Sequence, residues 1–292
     1  MKELKETELD VFLKELDWDN NELKINRDET LSFLEPHIKK KAVLGFDIYQ
    51  YSQYPFLEQT LIPHLFKKLY KVTIGNCIRN ESFFLEYKNQ KDFEDKFIDT
   101  GDGGFQIFRN PFEALIFGIY FQANIFKYNS GNKNSSYMFE IIGGISLRYS
   151  LTYDKVFNYK KNYYGAAIIN CARIMSRDKL NRFLLDNNTI AWFNAEFNSI
   201  ETCSSLEPQV DFPTIPLFKE HFDIETYESI LFPLGSNIIK SIDILKIGEI
   251  KSKLDTLSIY SAHIQILFKS KGKDFKRYHC TLGNLNSSGL GE

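Results

Sequence analysis

The stretch that most limits how this chain can fold is AVLGFDIYQYS, Ala42 to Ser52. A mostly apolar run leads to Asp47, and a polar, aromatic turn follows before any helix can begin. A carboxylate at the end of a buried strand is costly to desolvate unless something compensates its charge. Two compensations are open: Asp47 caps the following helix, or it faces a base or a divalent cation. A second stretch, FIDTGDGGFQIF, Phe97 to Phe108, repeats the arrangement, with Asp102 in a Gly-flanked turn between two apolar half-strands. If these strands are neighbours, their acidic tips make a two-carboxylate metal site.

Around these stretches the pattern supplies the other elements. Leu9, Phe12, Leu13 and Leu16 fall at helical spacing in an N-terminal extension over residues 1–40, and TLSFLEPHIKKK carries a second short helix into the strand at Lys41. Pro55 suits a first helical turn, and Leu57, Leu61, Leu65 and Leu69 mark one face beyond it. Asn80 to Lys96 reads as an irregular insertion. Phe97 to Phe108 reads as a tight hairpin containing Gly101, Gly103 and Gly104. Asn110, Pro111 and Glu113 start a helix whose body, Ala114 to Lys127, is apolar almost all round and so buried. After the loop NSGNKNSS, strands are expected over Tyr137 to Tyr153 and Lys155 to Tyr163, joined near Asp154, and Gly165 then opens a helix.

The order β-α-β-β-α-β-β-α implies an antiparallel sheet with helices packed on one face, an α+β architecture. Further on, NRFLLDNNTIAWF reads as helical and CSSLEPQVDFPTIPLF as a Pro-containing loop. The stretch from Ile242 to Phe268 reads as a closing strand pair, and the polar tail, residues 269–292, as frayed. One domain over 41–268, with its core in 41–190, is the expected organisation.

A net charge of -2 gives no nucleic-acid or anionic-membrane footprint. No apolar run is long enough to cross a bilayer, and MKELKETELD is too charged for a secretory signal. Cys77, Cys171, Cys203 and Cys280 have no paired spacing, which points to reduced thiols and a cytoplasmic location.

GFDIYQYS, TGDGGF, RYSLTYDKVF and YYGAAIINCARI resemble, in that order, the core blocks of class III nucleotide cyclases. The resemblance spans Lys41 to Ile190, and KSKLDTLSIY is weakly similar to that domain's last strands. It implies a ferredoxin-like cyclase core. The implied reaction drives a ribose 3′-hydroxyl onto the α-phosphate of the same nucleoside triphosphate, expelling diphosphate. By this resemblance Asp47 and Asp102 hold two divalent ions, Mn2+ or Mg2+, with help from the Ile48 carbonyl, because hard cations take oxygen ligands. The N–H groups from Tyr49 to Ser52 would face the phosphates. Arg173 is the implied transition-state residue, contributed across a homodimer so that each site is shared between two chains.

Three positions depart from the family pattern. The family's Asn four residues before the Arg is Ile169 here, while Asn170, three residues before, shares a helix face with Arg173 and is either its substitute or a bystander. Adenylate cyclases carry a Lys, and guanylate cyclases a Glu, four residues before the second acid; this chain has Ile98. The partner position, usually Asp or Thr in adenylate cyclases, is Asn162. A purine site that lacks its polar partner loses heavily. With Tyr51 placed against the base, the pattern is similar to the bacterial antiphage pyrimidine cyclases. The expected reaction is UTP to 3′,5′-cyclic UMP. Alternatives are CTP to cyclic CMP, an adenylate or guanylate cyclase, and an inactive nucleotide-binding module. A polymerase-type signalling domain ranks last because it does not account for Arg173.

Overall fold

In the computed structural model, residue 11 and residues 27–130, 136–159, 162–200, 239–251, 256–269 and 277–290 are described. Helix α1 (Arg27–Leu34) and a 3-10 turn (Glu35–His37) lead into β1 (Lys39–Ile48). Then follow α2 (Phe56–Glu81), the short α3 (Gln90–Glu94), the hairpin β2 (Phe97–Asp99) and β3 (Gly103–Phe108), and α4 (Pro111–Asn129). After α5 (Ser136–Ile142) come β4 (Leu147–Tyr159), β5 (Asn162–Tyr164), α6 (Ala166–Arg177), β6 (Phe183–Asp186) and α7 (Asn187–Phe197). Strands β7 (Ile239–Lys251), β8 (Thr256–Lys269) and β9 (Arg277–Leu282) complete the described chain.

The sheet order is β2-β3-β1-β4-β6-β8-β7, with β5 added to β4 and β9 to β8. Strand β1 lies antiparallel between β3 and β4. Together with α2 and α4 as the two crossovers, this is a ferredoxin-like βαββαβ unit, and the architecture is α+β. Alternation along β1 decides what each face receives. Phe46 and Ile48 point into the main core beneath α2 and α4. The Phe46 ring lies 5.0–6.5 Å from those of Phe66, Tyr70, Phe97, Phe117, Phe121 and Tyr149. Truncating a ring so enclosed costs about 3–5 kcal/mol, so β1 is firmly anchored and Asp47 is held at a fixed height.

Five expectations need correction. The sheet is mixed, because β4 and β6 run parallel through α6. Helices cover both faces: Val43, Ile107 and Val156 make a second apolar surface, which buries Ala167, Cys171 and Met175 of α6. Tyr137 to Ile142 is helical, and one unbroken strand passes through Asp154. Phe183–Asp186, within the segment read as helix, is a fully buried strand, and Asp186 then caps α7 by accepting from the Thr189 N–H. Part of the C-terminal tail is paired, since β9 adds to β8 over six residue pairs.

The expected insertion Asn80 to Lys96 holds the end of α2 and the short α3. The Asn110 cap, the buried α4 and the closing pair β7–β8 are as expected. The first N-terminal helix and the Pro-containing loop lie outside the described residues. Cys77, Cys171 and Cys280 are buried free thiols. Among the described residues no helix is long and apolar enough to cross a membrane.

Candidate active site

The ends of β1 and β3 bring the two acids together. Asp47 pairs with Gly103, and the Ile48 N–H donates to the Asp102 carbonyl at 3.1 Å. The turn between β2 and β3 is closed by Thr100 N–H to the Gly103 carbonyl at 3.0 Å and by Gly101 N–H to Asp99 Oδ1 at 2.8 Å. A Cβ on Gly103 would lie 2.2 Å from the Phe46 oxygen and 2.6 Å from Asp47 Cα, so only glycine lets the strands approach this closely. Burial pushes both the Asp47 and Asp102 carboxyls above their ordinary range, and the Asp47 charge adds to the effect on Asp102.

One residue here escaped sequence reasoning. Arg148 stands directly opposite Asp47 across β1 and β4. Its Nε and Nη2 donate to Asp47 Oδ1 and Oδ2, each at 2.8 Å, and its Nη1 donates to the Asp178 carbonyl at 2.7 Å. This is a bidentate guanidinium–carboxylate pair, and it opposes the burial effect on Asp47. Behind it, Asp178 and Arg182 form a buried ion pair at 2.8 Å, and Arg182 Nη1 donates to the Ser288 carbonyl at 2.6 Å. The signal for Arg148 was the alternation Arg148, Ser150, Thr152 on one strand face, but its partner depends on a pairing register between distant segments.

Asp47, Asp102 and Arg148 sum to one negative charge. Hard carboxylate oxygens suit a divalent ion that keeps waters and takes phosphate oxygens as further ligands. Among the described residues there is no group of three or more His, Cys, Asp or Glu side chains able to hold a metal. Both Asp47 oxygens already accept from Arg148, so a cation held here would draw further ligands from phosphate and water.

The remaining expected residues divide into two regions. Near the acids, the Tyr49 N–H is spent on the Ser146 carbonyl at 2.8 Å, which removes it from the expected phosphate donors. Gln50, in a left-handed conformation, then turns the chain into a 3-10 helix, Tyr51–Gln53, that carries Ser52 on an exposed surface. The Tyr51 hydroxyl donates to the Gln59 carbonyl at 2.8 Å and its ring packs on the main core, so only part of the ring is left for a ligand. Ile98 of β2 packs partly buried on the α6-side cluster.

Helix α6 carries the second region. Its N-cap Gly165, at φ 133, lies so close to β4 that a Cβ would meet the Lys155 oxygen at 2.4 Å. Cys171 and Met175 sit over Gly45, while Asn170 and Arg173 share the outer side. Arg173 Nη1 donates to Asn170 Oδ1 at 3.5 Å, and among the described residues the guanidinium makes no contact with Asp47 or Asp102. Asn162 is exposed at the start of β5. Within one chain, Asp47, Ile48 and Asp102 are brought together; Asn170, Arg173 and Asn162 are not joined to them.

Fold and site define an α+β protein with paired carboxylates at one end of a ferredoxin-like sheet. No family profile matches the chain, and no curated protein matches it. Among solved structures, an adenylate/guanylate cyclase/hydrolase from Silicibacter pomeroyi is similar at 11% identity over 77% of this chain and 96% of that one, with a TM-score of 0.44. The adenylyl cyclase CyaB from P. aeruginosa is similar at 10% identity over 77% and 95%, with a TM-score of 0.43. The guanylate cyclase domain of RhGC from Catenaria anguillulae, solved with GTP, is similar at 12% identity over 77% and 96%, with a TM-score of 0.42. The fold assignment above rests on this chain's own strand order and pairing.

Proposed function

We propose that this protein is a nucleotide cyclase that closes UTP to 3′,5′-cyclic UMP with release of diphosphate, working as a homodimer in bacterial antiphage signalling. The observation that carries the reading is the juxtaposition of Asp47 and Asp102 at paired strand ends, held by Gly103. Asp47, Asp102 and the Ile48 carbonyl would hold two divalent ions, Mn2+ or Mg2+. When bound, such ions supply charge neutralisation at the triphosphate and at the leaving diphosphate. The Gln50, Tyr51 and Ser52 N–H groups, at the turn into α2, would face phosphate oxygens. Arg173, with Asn170 beside it, would stabilise the charge that develops on the phosphorus oxygens. Its position on the outer side of α6 supports supply to a partner's site, giving two shared sites per dimer.

The base reading rests on Ile98, which offers no hydrogen bond, and on Asn162, which both donates and accepts. This pair disfavours a purine and leaves uracil or cytosine. The test is incubation with each of the four nucleoside triphosphates and Mn2+, followed by mass identification of the product. Cyclic UMP as the main product is expected, and selective cyclic AMP or cyclic GMP formation would overturn the base reading. Asp47→Asn and Asp102→Asn should each abolish turnover while leaving the fold intact. A second reading, a nucleotide-binding module without catalysis, is favoured by the Arg148 fork on both Asp47 oxygens. Binding of UTP with no product from any triphosphate would select it.

A further inference from the structure

A cavity of about 430 Å³ lies between α4, the segment leading into β4, β8 and the chain after β9. That is the size of a small-molecule site. Among the described residues no Asp, Glu, Lys or Arg lines it; its polar side chains include Gln122, Asn181, His263, Thr281 and Asn284. Neighbours fix half of the hydrogen-bonding capacity of four of these and leave a defined remainder. The Tyr149 hydroxyl donates to Gln122 Oε1 at 3.0 Å, which leaves the Gln122 amide nitrogen as donor. Asn284 Nδ2 donates to Asn181 Oδ1 at 2.9 Å, which leaves a donor on Asn181 and an acceptor on Asn284. His263 Nδ1 meets the Gly283 carbonyl at 3.2 Å. A carbonyl only accepts, so the neutral ring carries its proton on Nδ1 and keeps Nε2 as an acceptor.

Gln122 and Asn181 thus offer donors, Asn284 and the neutral His263 ring offer acceptors, and the Ser146 and Thr281 hydroxyls can serve as either. We propose that this cavity binds an uncharged cyclic amide, a molecule presenting adjacent N–H and C=O groups on a planar ring, as nucleobases do. An anion or cation finds no Asp, Glu, Lys or Arg counter-charge among these side chains. A hydrocarbon would leave polar groups unpaired at about 1–3 kcal/mol each where they become buried. The wall is continuous with the carboxylate end of the sheet. Leu147 adjoins Arg148, Asn181 adjoins Arg182, and the Arg182 carbonyl accepts from Tyr149 N–H at 2.8 Å. A ligand here bears on the segments that hold Arg148 and Arg182, although the binding itself does not depend on the cyclase reading.

The experiment titrates the full chain with uracil and with hypoxanthine, following side-chain amide resonances by NMR. 1,3-Dimethyluracil, which keeps the ring but has no N–H, is the control. Saturable binding of at least one base is expected, with shifts at Gln122, Asn181 and Asn284, and about tenfold or weaker affinity for the dimethyl compound. Binding should persist in Asp47→Asn and fall at least tenfold in Asn181→Leu and Gln122→Leu. If either cavity variant fails to fold, as read by near-UV circular dichroism, the comparison of uracil with 1,3-dimethyluracil on the unaltered chain decides. Absence of saturable binding at millimolar base, or equal affinity for the dimethyl control, overturns the proposal. So does loss of binding in Asp47→Asn with retention in the cavity variants, because the bases would then occupy the carboxylate site.

Discussion

Replacing Arg148 with Met tests how the charges at the carboxylate end are balanced. The substitution removes two bonds of 2.8 Å to Asp47 and one of 2.7 Å to the Asp178 carbonyl. It strands the Asp47 charge, whose side chain is only 15% exposed. Stranding one member of a fully buried pair costs about 3–5 kcal/mol. The Arg148 side chain is 27% exposed, so water recovers part of the loss, and about 3 kcal/mol is expected at pH 7.5. This corresponds to a fall in Tm of roughly 5 °C for a chain of this size. Urea unfolding at two pH values gives the test its discrimination. Burial already raises Asp47, and without Arg148 its charge is a cost present above the folded pKa and relieved as pH falls through it. The deficit should therefore shrink from pH 7.5 to pH 4.5. The double variant Arg148→Met/Asp47→Asn should recover at least half of it, and added Mn2+ should raise the Tm of Arg148→Met more than that of the unaltered protein. An equal deficit at both pH values, unrescued by Asp47→Asn, would refute the charge argument and leave Arg148 as a packing residue.

Three further outcomes follow from geometry already described. Gly103→Ala should destabilise by about 3 kcal/mol or more, because the new methyl meets backbone; Gly101→Ala, at φ 100 with open space around it, should cost only about 1–2 kcal/mol in the same urea assay. Burial pushes the Asp186 carboxyl up to about 6 from the usual 3.8. Its contribution to stability should fall by about 3 kcal/mol as pH rises through that window, and a pH-independent difference between the unaltered protein and Asp186→Asn would contradict this. Asp47→Asn and Arg173→Ala proteins should each be nearly inactive, whereas an exchanged mixture should regain up to about a quarter of full activity. Exchanged mixtures as inactive as their parents would exclude shared sites.

What could be read from the residues was what depends on local pattern. Asp47 and Asp102 each end an apolar run, Asn110 and Pro111 start a helix, and the glycines of TGDGG make a hairpin, all within a few residues. Short apolar runs were ambiguous, since YMFEII forms a helix and FLLD a buried strand at lengths where periodicity does not separate the two. Arg148 could not be assigned because its role comes from its register opposite Asp47, 101 residues away. The tail misled for the same reason. RYHCTL is short and follows a polar stretch, and its place in the sheet comes from pairing with β8. Helix coverage of both faces likewise required knowing that Val43, Ile107 and Val156 share one side of the sheet.

The central place of β1 has a consequence for how the protein is made. This strand is among the earliest described elements to leave the ribosome, yet one of its neighbours, β4, begins at Leu147, about a hundred residues later. At about 5–20 residues per second of synthesis, AVLGF waits roughly 5–20 s for that partner, presenting an unpaired apolar strand to every other nascent chain nearby. Lys39, Lys40 and Lys41 stand immediately before it and belong to the same strand. Like charges beside an apolar run oppose its stacking on copies of itself. Neutralising these lysines should leave the finished fold nearly unchanged while lowering the yield of soluble protein during synthesis.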